Sequence, residues 1–395
     1  MTRKNLLPFP LSPLLLLTTI FYLNFISRVI LSPLLPVIES DLGLGHGQAG
    51  SLFFYIACGY AIGLGGSGFV SSMLSHRRTI IISILFVGAS MLGISVSTSL
   101  WTIRFFLVIC GIFAGLYLPS AIASLTDLIS REHWGKAMAI HELGPNLGFI
   151  TAPLIAEFLL KIFPWPGVLA CVGISAVLMA LLYHRRGWGG KIKGTPPNWS
   201  SFQKVIKNPS FGMMASFFMI AIGSSLGVYA MMPLFMVAEI GLPRTWANAL
   251  IGLSRIFGIL VLFFAGLITD YLGPKKAMTI FLSLAGILML FLGLLTGPVI
   301  SPILLFFQAA SSACLFPVGF TILSLVFPEE LRSVGVSFVM CAGFIIGGGI
   351  IPAGLGYWAE AFSFSSGFIL LGVIFLCMLL IFNLIIKRIA IIMPY

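Results

Sequence analysis

The sequence predicts an all-α integral membrane protein with twelve transmembrane helices in two pseudo-symmetric six-helix halves, both termini being cytoplasmic. Three observations predict this class: an apolar composition, twelve apolar runs of membrane-spanning length, and an internal repeat. Hydrophobic residues make up 59% and charged residues 8% of the 395 positions, whereas about 25% of an ordinary soluble domain is charged. So few charges cannot cover the surface of a soluble protein of this length.

Twelve apolar runs approach or exceed the roughly 20 residues that a helix needs to cross a bilayer. We number them spans 1 to 12. Their predicted bounds are 12–37, 48–70, 79–98, 101–125, 137–160, 165–184, 210–237, 246–269, 276–296, 300–326, 333–357 and 364–387. A polar stretch divides them six and six, which predicts an N-terminal bundle (1–184), a basic cytoplasmic linker (185–209) and a C-terminal bundle (210–395). We expect the linker to lie on the anionic cytoplasmic leaflet.

The loop charges predict the orientation, because Lys and Arg are concentrated in cytoplasmic loops. With a cytoplasmic N-terminus, the basic residues on the inner side are Arg3, Lys4, Arg77, Arg78, Arg131, Lys136, Arg185, Arg186, Lys191, Lys193, Lys204, Lys207, Lys275, Lys276, Arg332, Lys387 and Arg388. The charged residues of the outer loops are Lys161, Arg244, Glu39, Asp41, Glu239 and Glu360.

The internal repeat has an offset of 198 positions. It aligns Gly43-Leu44 with Gly241-Leu242, Arg77-Arg78 with Lys275-Lys276, and Pro119 with Pro317. Recurring membrane composition explains matched leucines but not matched loop charges. Two parallel repeats of this kind predict a binding site near the membrane midplane, with rocking of the halves giving alternating access.

One loop carries a family signature. Residues 266–276 read GLITDYLGPKK, which closely resembles the loop between helices 2 and 3, repeated between 8 and 9, of the major facilitator superfamily. The resemblance implies a secondary transporter in which Asp270, Lys275 and Lys276 form a cytoplasmic conformational latch. The first-half copy, GFVSSMLSHRR at 68–78, keeps Arg77 and Arg78 but has Ser72 for the acid and Ser75 for the glycine. This latch is therefore weakened or made differently.

Two further segments resemble parts of the superfamily. Gly144, Pro145 and Gly148 form a GPxxG core in span 5, similar to a motif found in antiporters. Physically, glycine permits close helix approach and proline bends the helix. Span 1, from Tyr22-Leu23-Asn24 to the DLGL at 41–44, resembles the anion:cation symporter branch, with Ser27 where that branch has an acid. The branch carries organic anions with protons or sodium.

Three arginines lie inside predicted spans: Arg28, Arg104 and Arg255. Each costs at least about 2.5–3.5 kcal/mol at the membrane centre and needs a partner or a purpose. Because guanidinium groups bind carboxylates and phosphates bidentately, Arg28 beside Asn24 and Arg255 in the other half predict an anion clamp between the halves. The alternative is that each arginine pairs with a buried carboxylate or a carbonyl. For Arg104, near the outer end of span 4, snorkelling competes with substrate binding.

Other polar residues complete the predicted site. His141 and Glu142 on span 5 are the candidates for proton coupling, since histidine titrates near neutral pH and burial brings a carboxylate toward it. Adjacent helical residues point about 100° apart, so one of the two is expected to face the pathway. The alternative for them is a helix-end pair bonded to Asp127 or Lys136. Gln308 and Tyr229 are expected to contribute to the cavity.

Competing functions follow from the same residues. The leading hypothesis is proton-coupled symport of a small organic anion by a monomer in a bacterial inner membrane, with no cofactor, metal or nucleic-acid partner. The alternatives are an exporter of drugs or metabolites with an apolar cavity, and a transporter-like sensor that signals through its basic linker. An enzyme is least expected, because no phosphate loop, HExxH or Ser–His–Asp spacing is present.

Overall fold

The computed structural model describes residues 11–196 and 199–392. In these ranges eleven helical stretches are long and apolar enough to cross a membrane. Helices suit that environment because every backbone polar group is bonded within its own segment. The stretches correspond to spans 1–4 and 6–12, with the bounds Leu11–Leu42, His46–Leu74, His76–Ser95, Leu100–Leu128, Trp165–Arg186, Ser210–Glu239, Arg244–Leu272, Pro274–Leu294, Ile300–Val326, Val334–Ala361 and Phe364–Leu384.

Span 5 is broken into two helices, Trp134–His141 and Leu143–Leu159. The break falls at Glu142, three residues before Pro145. Proline has no N–H for the carbonyl four residues earlier and its ring crowds that carbonyl, which is the carbonyl of His141. A short 3₁₀ turn at Arg131–His133 leads into the first helix. Span 5, the one predicted crossing that is absent from the eleven long stretches, is therefore built from two shorter helices that meet beside the Gly-Pro.

Several other spans are interrupted. Span 1 comprises Leu11–Val29 and Leu31–Leu42, and span 4 comprises Leu100–Gly115 and Tyr117–Leu128. Spans 7 and 11 contain π-helical segments, which loosen the α-helical hydrogen-bond ladder and are frequent at functional sites. The pieces of spans 7 and 11 are Pro209–Ile222, Gly223–Gly227 (π), Val228–Leu234, Phe235–Glu239 (π), Glu329–Gly343, Phe344–Ile350 (π) and Ile351–Ala361. The remaining elements are a linker helix at Trp199–Lys207 and the full extent of span 12, Phe364–Ile392.

The chain forms two compact units. Unit 1 comprises Met1–Leu34 and Tyr55–Trp199, and unit 2 comprises Leu35–Phe54 and Ser200–Tyr395. Residues 35–54 are the end of span 1 and the start of span 2, so both spans contribute to both units. Arg3 and Lys4, which helped to predict the orientation, lie outside the described residues. The division into bundles on either side of 185–209 stays a prediction.

Unit 1 is held together by close helix crossings. Spans 2 and 4 meet through two small-xxx-small pairs, Gly59 with Gly63 and Gly111 with Gly115. A Cβ at any of these four positions would overlap a backbone oxygen of the other span. Such crossings bring helices together in membranes, where the hydrophobic effect between helices is absent. The adjoining core, around Phe21, contains the buried ends of spans 1, 3, 4, 5 and 6.

In unit 2, carboxylates join residues 35–54 to span 11 and span 7 to span 12. The Glu360 carboxylate accepts the Gly47 backbone N–H at 3.0 Å, and Nδ1 of His46 lies 2.8 Å from Oε1 of Glu39. The Glu239 carboxylate, at the end of span 7, accepts the N–H groups of Phe364 and Ser365 at 2.6 and 3.1 Å. Carboxylates at helix N-termini satisfy N–H groups that have no partner within the helix.

The internal repeat extends to the backbone. Gly43 and Gly241 both have positive φ, at 61° and 77°, and they are 198 positions apart. Ser75 and Gly273 have the same relation: their φ/ψ values are 87°/154° and 80°/153°. This last conformation is essentially restricted to glycine. Ser75 therefore holds, at the start of span 3, a backbone conformation that its counterpart reaches without strain.

Replacing Ser75 by glycine is expected to stabilise the protein by about 1 kcal/mol, because strain at such a position costs on the order of 1–3 kcal/mol and glycine loses part of that gain in unfolded-state entropy. Gly273→Ser is expected to destabilise by a similar amount. The measurement is the thermal unfolding midpoint of the purified protein in detergent. Ser72→Gly is the matched control, since it makes the same change within regular helix and is expected to lower the midpoint. A lower midpoint for Ser75→Gly would contradict the strain argument.

Candidate functional site

Arg28 lies in unit 1, at the end of the first helix of span 1. Its side chain is buried, being 6% exposed. The guanidinium carbon lies 4.3 Å from the ring centre of Tyr60 and 5.0 Å from that of Phe25. A cation above an aromatic face is attracted by the ring quadrupole, and more strongly when water is excluded. The geometry thus places a positive charge against two aromatic faces inside the unit.

The surroundings of Arg28 follow from the glycine crossing of spans 2 and 4. Tyr60 lies within the Gly59–Gly63 turn and is 3% exposed, so the tight crossing fixes its ring. Asn24, one turn before Arg28, donates from Nδ2 to the carbonyl oxygen of Ala114 at 3.2 Å. This bond ties span 1 to span 4. Asn24 therefore positions span 1 in this conformation.

Arg104 has a different environment. Its guanidinium carbon lies 4.9 Å from the ring centre of Trp101 and 5.2 Å from that of Tyr55. Trp101 is 71% exposed, in the first turn of the helix that begins at Leu100. Amphipathic aromatic side chains of this kind are concentrated at membrane interfaces. The geometry favours the snorkelling alternative for Arg104.

His141 is fully buried in unit 1. Its ring stacks on Phe21 with centroids 4.6 Å apart, and its Nε2 lies 3.0 Å from the Tyr117 hydroxyl. That hydroxyl donates its only proton to the Leu17 carbonyl oxygen at 2.6 Å. Tyr117 must therefore accept from Nε2–H, which makes His141 the Nε2–H tautomer. Its Nδ1 is buried and has no hydrogen-bond partner.

Glu142 points elsewhere, as expected for adjacent helical residues. Its side chain is exposed at the break in span 5, and its backbone oxygen accepts from Asn146 Nδ2 at 2.8 Å. The neighbouring glycines pack span 5 on span 1. A Cβ on Gly144 would lie 2.9 Å from the Thr18 carbonyl oxygen, and one on Gly148 would lie 2.7 Å from the Phe25 ring. Gly144 and Gly148 thus set the close approach of spans 1 and 5, which places His141 against Phe21.

Arg255 is the corresponding buried cation of unit 2. It is 7% exposed, and its guanidinium carbon lies 4.8 Å from the ring centre of Tyr229. Nη2 donates to the backbone oxygen of Ser225 at 3.0 Å, and Nη1 to the Ser225 hydroxyl at 3.4 Å. Ser225 belongs to the π segment Gly223–Gly227. Its two oxygens provide neutral acceptors for the cation.

Gln308 binds the same π segment from span 10. It is fully buried, and its Nε2 donates to the Ser224 backbone oxygen at 2.7 Å and to the Ser312 hydroxyl at 2.9 Å. Its Oε1 is buried without a hydrogen-bond partner. Spans 7 and 11 also meet backbone to backbone here, since a Cβ on Gly347 would lie 2.6 Å from the backbone nitrogen of Gly223. The π segment thus joins Arg255, Gln308 and span 11 in one polar layer.

Among the residues whose burial is described, the buried side chains with a permanent charge are all basic. Arg28 and Arg255 are buried, whereas no aspartate or glutamate is buried among the residues whose burial is described. The alternative of a carbonyl partner is present for Arg255, whose Nη2 donates to the Ser225 backbone oxygen. A desolvated guanidinium strongly favours an anion, because attraction is little screened in an apolar interior.

The latch residues lie on the surface. Asp270, Lys275 and Lys276 are exposed, and no ion pair joins them in the described part of the chain. Arg77 donates from Nη2 to the His184 backbone oxygen at 2.9 Å, and Arg78 is exposed. In the first half the loop is therefore attached to the end of span 6. The latch role of these five residues stays a prediction.

Sequence reasoning did not identify Tyr60, Tyr117, Ser224 and Ser225 as parts of the site. Serine and tyrosine are common in transmembrane helices, so composition alone does not mark them. One signal was present for Ser225: the run GSSLG in span 7 places two hydroxyls between glycines, which is typical of a helix interruption. Tyr60 stands beside Gly59, within a small-xxx-small pair that predicts close packing.

A comparison with family models matches residues 17–306 to the Major Facilitator Superfamily. Among curated proteins, the chain is 25% identical over 166 residues to the multi-drug resistance efflux pump PmrA of Streptococcus pneumoniae. That match covers 40% of the chain, and the chain spans only 41% of the pump. The chain is also 23% identical over 380 residues to the cis,cis-muconate transport protein of Acinetobacter baylyi. That match covers 87% of the chain and 86% of the relative.

Among solved structures, the chain resembles a bacterial homolog of the human lysosomal transporter Spinster. The TM-score is 0.79 and the sequence identity 16%, and the match covers 95% of each chain. At this identity the likeness supports the fold. It agrees with a membrane protein of twelve crossings.

Tyr117→Phe is expected to destabilise the protein by about 1–3 kcal/mol, because it leaves the His141 N–H buried without a partner and removes the side-chain hydrogen bond to the Leu17 carbonyl. Tyr183→Phe is the matched control. Tyr183 is equally buried in the same core, but its hydroxyl has no hydrogen-bond partner, so its loss is expected to be neutral or stabilising. Thermal unfolding in detergent measures both. Equal effects of the two variants would contradict the hydrogen-bond arrangement.

Proposed function

Because the chain belongs to the Major Facilitator Superfamily, whose model matches residues 17–306, we propose that it is a secondary transporter that moves a small organic anion by alternating access. The family expected from the GLITDYLGPKK loop is thus confirmed. We also propose an anionic substrate, coupling to protons, a monomeric state and a bacterial inner-membrane location. A carrier of this kind needs no cofactor.

The proposal of an anionic substrate rests on one observation. Each unit buries one arginine against a tyrosine ring, and no carboxylate is buried among the residues whose burial is described. The arginine and the tyrosine occur in opposite order along the chain in the two repeats. In unit 1 the arginine is on span 1 and the tyrosine on span 2, whereas in unit 2 the tyrosine is on span 7 and the arginine on span 8. Both guanidinium groups are nearly inaccessible in this conformation, so we expect an anion to reach them in another state of the cycle.

A carboxylate suits both sites chemically. The carbonyl and hydroxyl oxygens of Ser225, which accept hydrogen bonds from Arg255, are neutral. Charge-assisted hydrogen bonds are roughly twice as strong as neutral ones, and an arginine engages a carboxylate through two of them. An entering carboxylate would therefore displace the Ser225 contacts. Because the π segment already departs from the α-helical hydrogen-bond ladder, that exchange breaks no regular helix.

The relatives support two substrate classes. The protein matched over most of the chain is named for cis,cis-muconate, a dicarboxylate, which agrees with two buried arginines. The pneumococcal relative is named as a multidrug pump, and it keeps the exporter hypothesis as the second candidate. That match covers 40% of the chain, so we rank it below the anion transporter.

His141 is the proposed proton carrier. Its Nε2–H is committed to Tyr117, and its buried Nδ1 is unbonded. A proton on Nδ1 would place a charge among apolar rings, which is costly without a partner. Proton binding is therefore coupled to a rearrangement of spans 1, 4 and 5. We keep Glu142 as the alternative carrier because it lies at the break in span 5.

Binding of an anionic substrate is expected to raise the thermal unfolding midpoint in a concentration-dependent way, since a ligand of the native state stabilises it. The screen uses monocarboxylates, dicarboxylates including cis,cis-muconate, sugar acids and organophosphates. Arg28→Gln and Arg255→Gln are expected to weaken binding of a hit at least about tenfold each, the cost of losing a charge-assisted pair. The double variant shows, through additivity or its failure, whether one ligand contacts both side chains.

Arg244→Gln is the control for this screen, because Arg244 is a partly exposed arginine at the start of span 8. It is expected to leave the affinity unchanged. If hydrophobic cations or neutral drugs shift the midpoint and no anion does, the exporter hypothesis replaces the anion transporter.

Proton coupling is expected to fail in His141→Gln while substrate exchange continues. Exchange of internal for external substrate needs no net proton movement, so it reports on folding and binding. Net uptake driven by a pH gradient requires the proton carrier. In proteoliposomes, exchange is measured with labelled substrate, and proton movement during net uptake is measured with a pH-sensitive dye. Loss of gradient-driven uptake in Glu142→Gln, with normal uptake in His141→Gln, would assign the proton to Glu142 instead.

A further inference from the structure

A basic cavity lies on the face of unit 1 that the loop charges assign to the cytoplasm. Its volume is about 510 Å³. The charged and titratable side chains that line it are Arg77, Arg78, His184, Lys191 and Lys193. No carboxylate is among its lining residues. Four permanent positive charges thus converge on one cavity, and neither Arg28 nor Arg255 is among its lining residues.

The cavity is built from the linker and the loop between spans 2 and 3. Backbone N–H groups of His76 and Arg77 donate to the carbonyls of Ile192 and Gly190, at 3.2 and 2.7 Å, and Gly194 N–H donates to Ser71 O at 3.0 Å. These bonds hold linker residues 190–194 along the loop. The lysines at 191 and 193 are therefore placed at the cavity by backbone structure.

The first-half sequence departs from the family signature at this same place. Ser72 stands where the second half has Asp270, so the loop lacks its acid, and Ser75 holds a backbone conformation that strongly favours glycine. Arg77 is oriented by its bond to the His184 carbonyl oxygen. The loop thus keeps its basic residues, gains two lysines from the linker, and has no acid in the cavity to neutralise them.

Four like charges in one cavity repel one another, and a bound anion relieves that repulsion. The first two N–H groups of span 3 are already used by the linker, so the side chains must supply the contacts. Arginine provides bidentate geometry for phosphate oxygens, and lysine provides compact charge. The site lies at a face where anionic headgroups are available and where each basic residue adds about 1 kcal/mol of attraction.

We propose that this cavity is a binding site for a phosphate group, supplied by an anionic phospholipid headgroup or by a soluble phosphate compound. The site is independent of the substrate arginines, so it holds or fails separately from the proposed transport function. Binding there joins the linker to the loop between spans 2 and 3.

The experiment is native mass spectrometry of the full-length protein in detergent, with phosphatidylglycerol, phosphatidylcholine of matched chains, and inorganic pyrophosphate as probes. The wild type is expected to bind phosphatidylglycerol or pyrophosphate in preference to phosphatidylcholine. Lys191→Gln/Lys193→Gln is expected to weaken that binding at least about tenfold, since each basic group near an anion contributes roughly fivefold. Arg78→Gln, at an exposed side chain, is a second test that does not alter the linker.

Lys204→Gln/Lys207→Gln is the matched control, because it removes two exposed charges from the same linker outside the cavity. It is expected to change affinity less than twofold. Preference for phosphatidylglycerol with no pyrophosphate binding identifies a lipid, and the reverse identifies a soluble phosphate. The proposal is overturned if neither phosphatidylglycerol nor pyrophosphate binds the wild type in preference to phosphatidylcholine. It is also overturned if the control variant loses as much affinity as the cavity variants.

Discussion

The cost of holding charge and polar groups in an apolar interior is the constraint on which this structure depends. A buried guanidinium is retained only where oxygens or aromatic faces replace its water. Arg28 meets this condition with the rings of Tyr60 and Phe25, and Arg255 with Tyr229 and the two oxygens of Ser225. Because these contacts are neutral, they stabilise the cations without supplying a counter-charge.

Helix packing provides those partners. Tyr60 is positioned because glycines on spans 2 and 4 let two backbones touch, and Ser225 is presented because span 7 becomes π-helical where span 11 packs on it. The same principle places His141, since Gly144 and Gly148 bring span 5 onto span 1. The glycines therefore affect the site indirectly, because the close helix packing that they allow positions the larger side chains. A methyl group at such a glycine would shift an arginine or histidine partner without touching it.

The fold could be predicted from the sequence because its determinants are local or periodic. Apolar runs, loop charges and the 198-residue offset predicted the twelve crossings, and the offset recurs in the backbone at Ser75 and Gly273. Arg28 and Arg255 were predictable as buried charges. Their tyrosine partners, the tautomer of His141 and the cavity at Lys191 were not, because each depends on contacts between segments far apart in the chain. Within span 5, the exposed position of Glu142 and the burial of His141 depended on a helix break that the periodicity did not show.

Counterflow in proteoliposomes tests the central claim most directly. Liposomes loaded with a dicarboxylate and diluted into a trace of labelled dicarboxylate report carrier-mediated exchange without any driving ion. The account predicts transient accumulation by the wild type, its loss in Arg28→Gln and in Arg255→Gln, and its retention in Arg244→Gln. Equal accumulation by the wild type and both arginine variants, or exchange of a neutral substrate in preference to every anion, would contradict it.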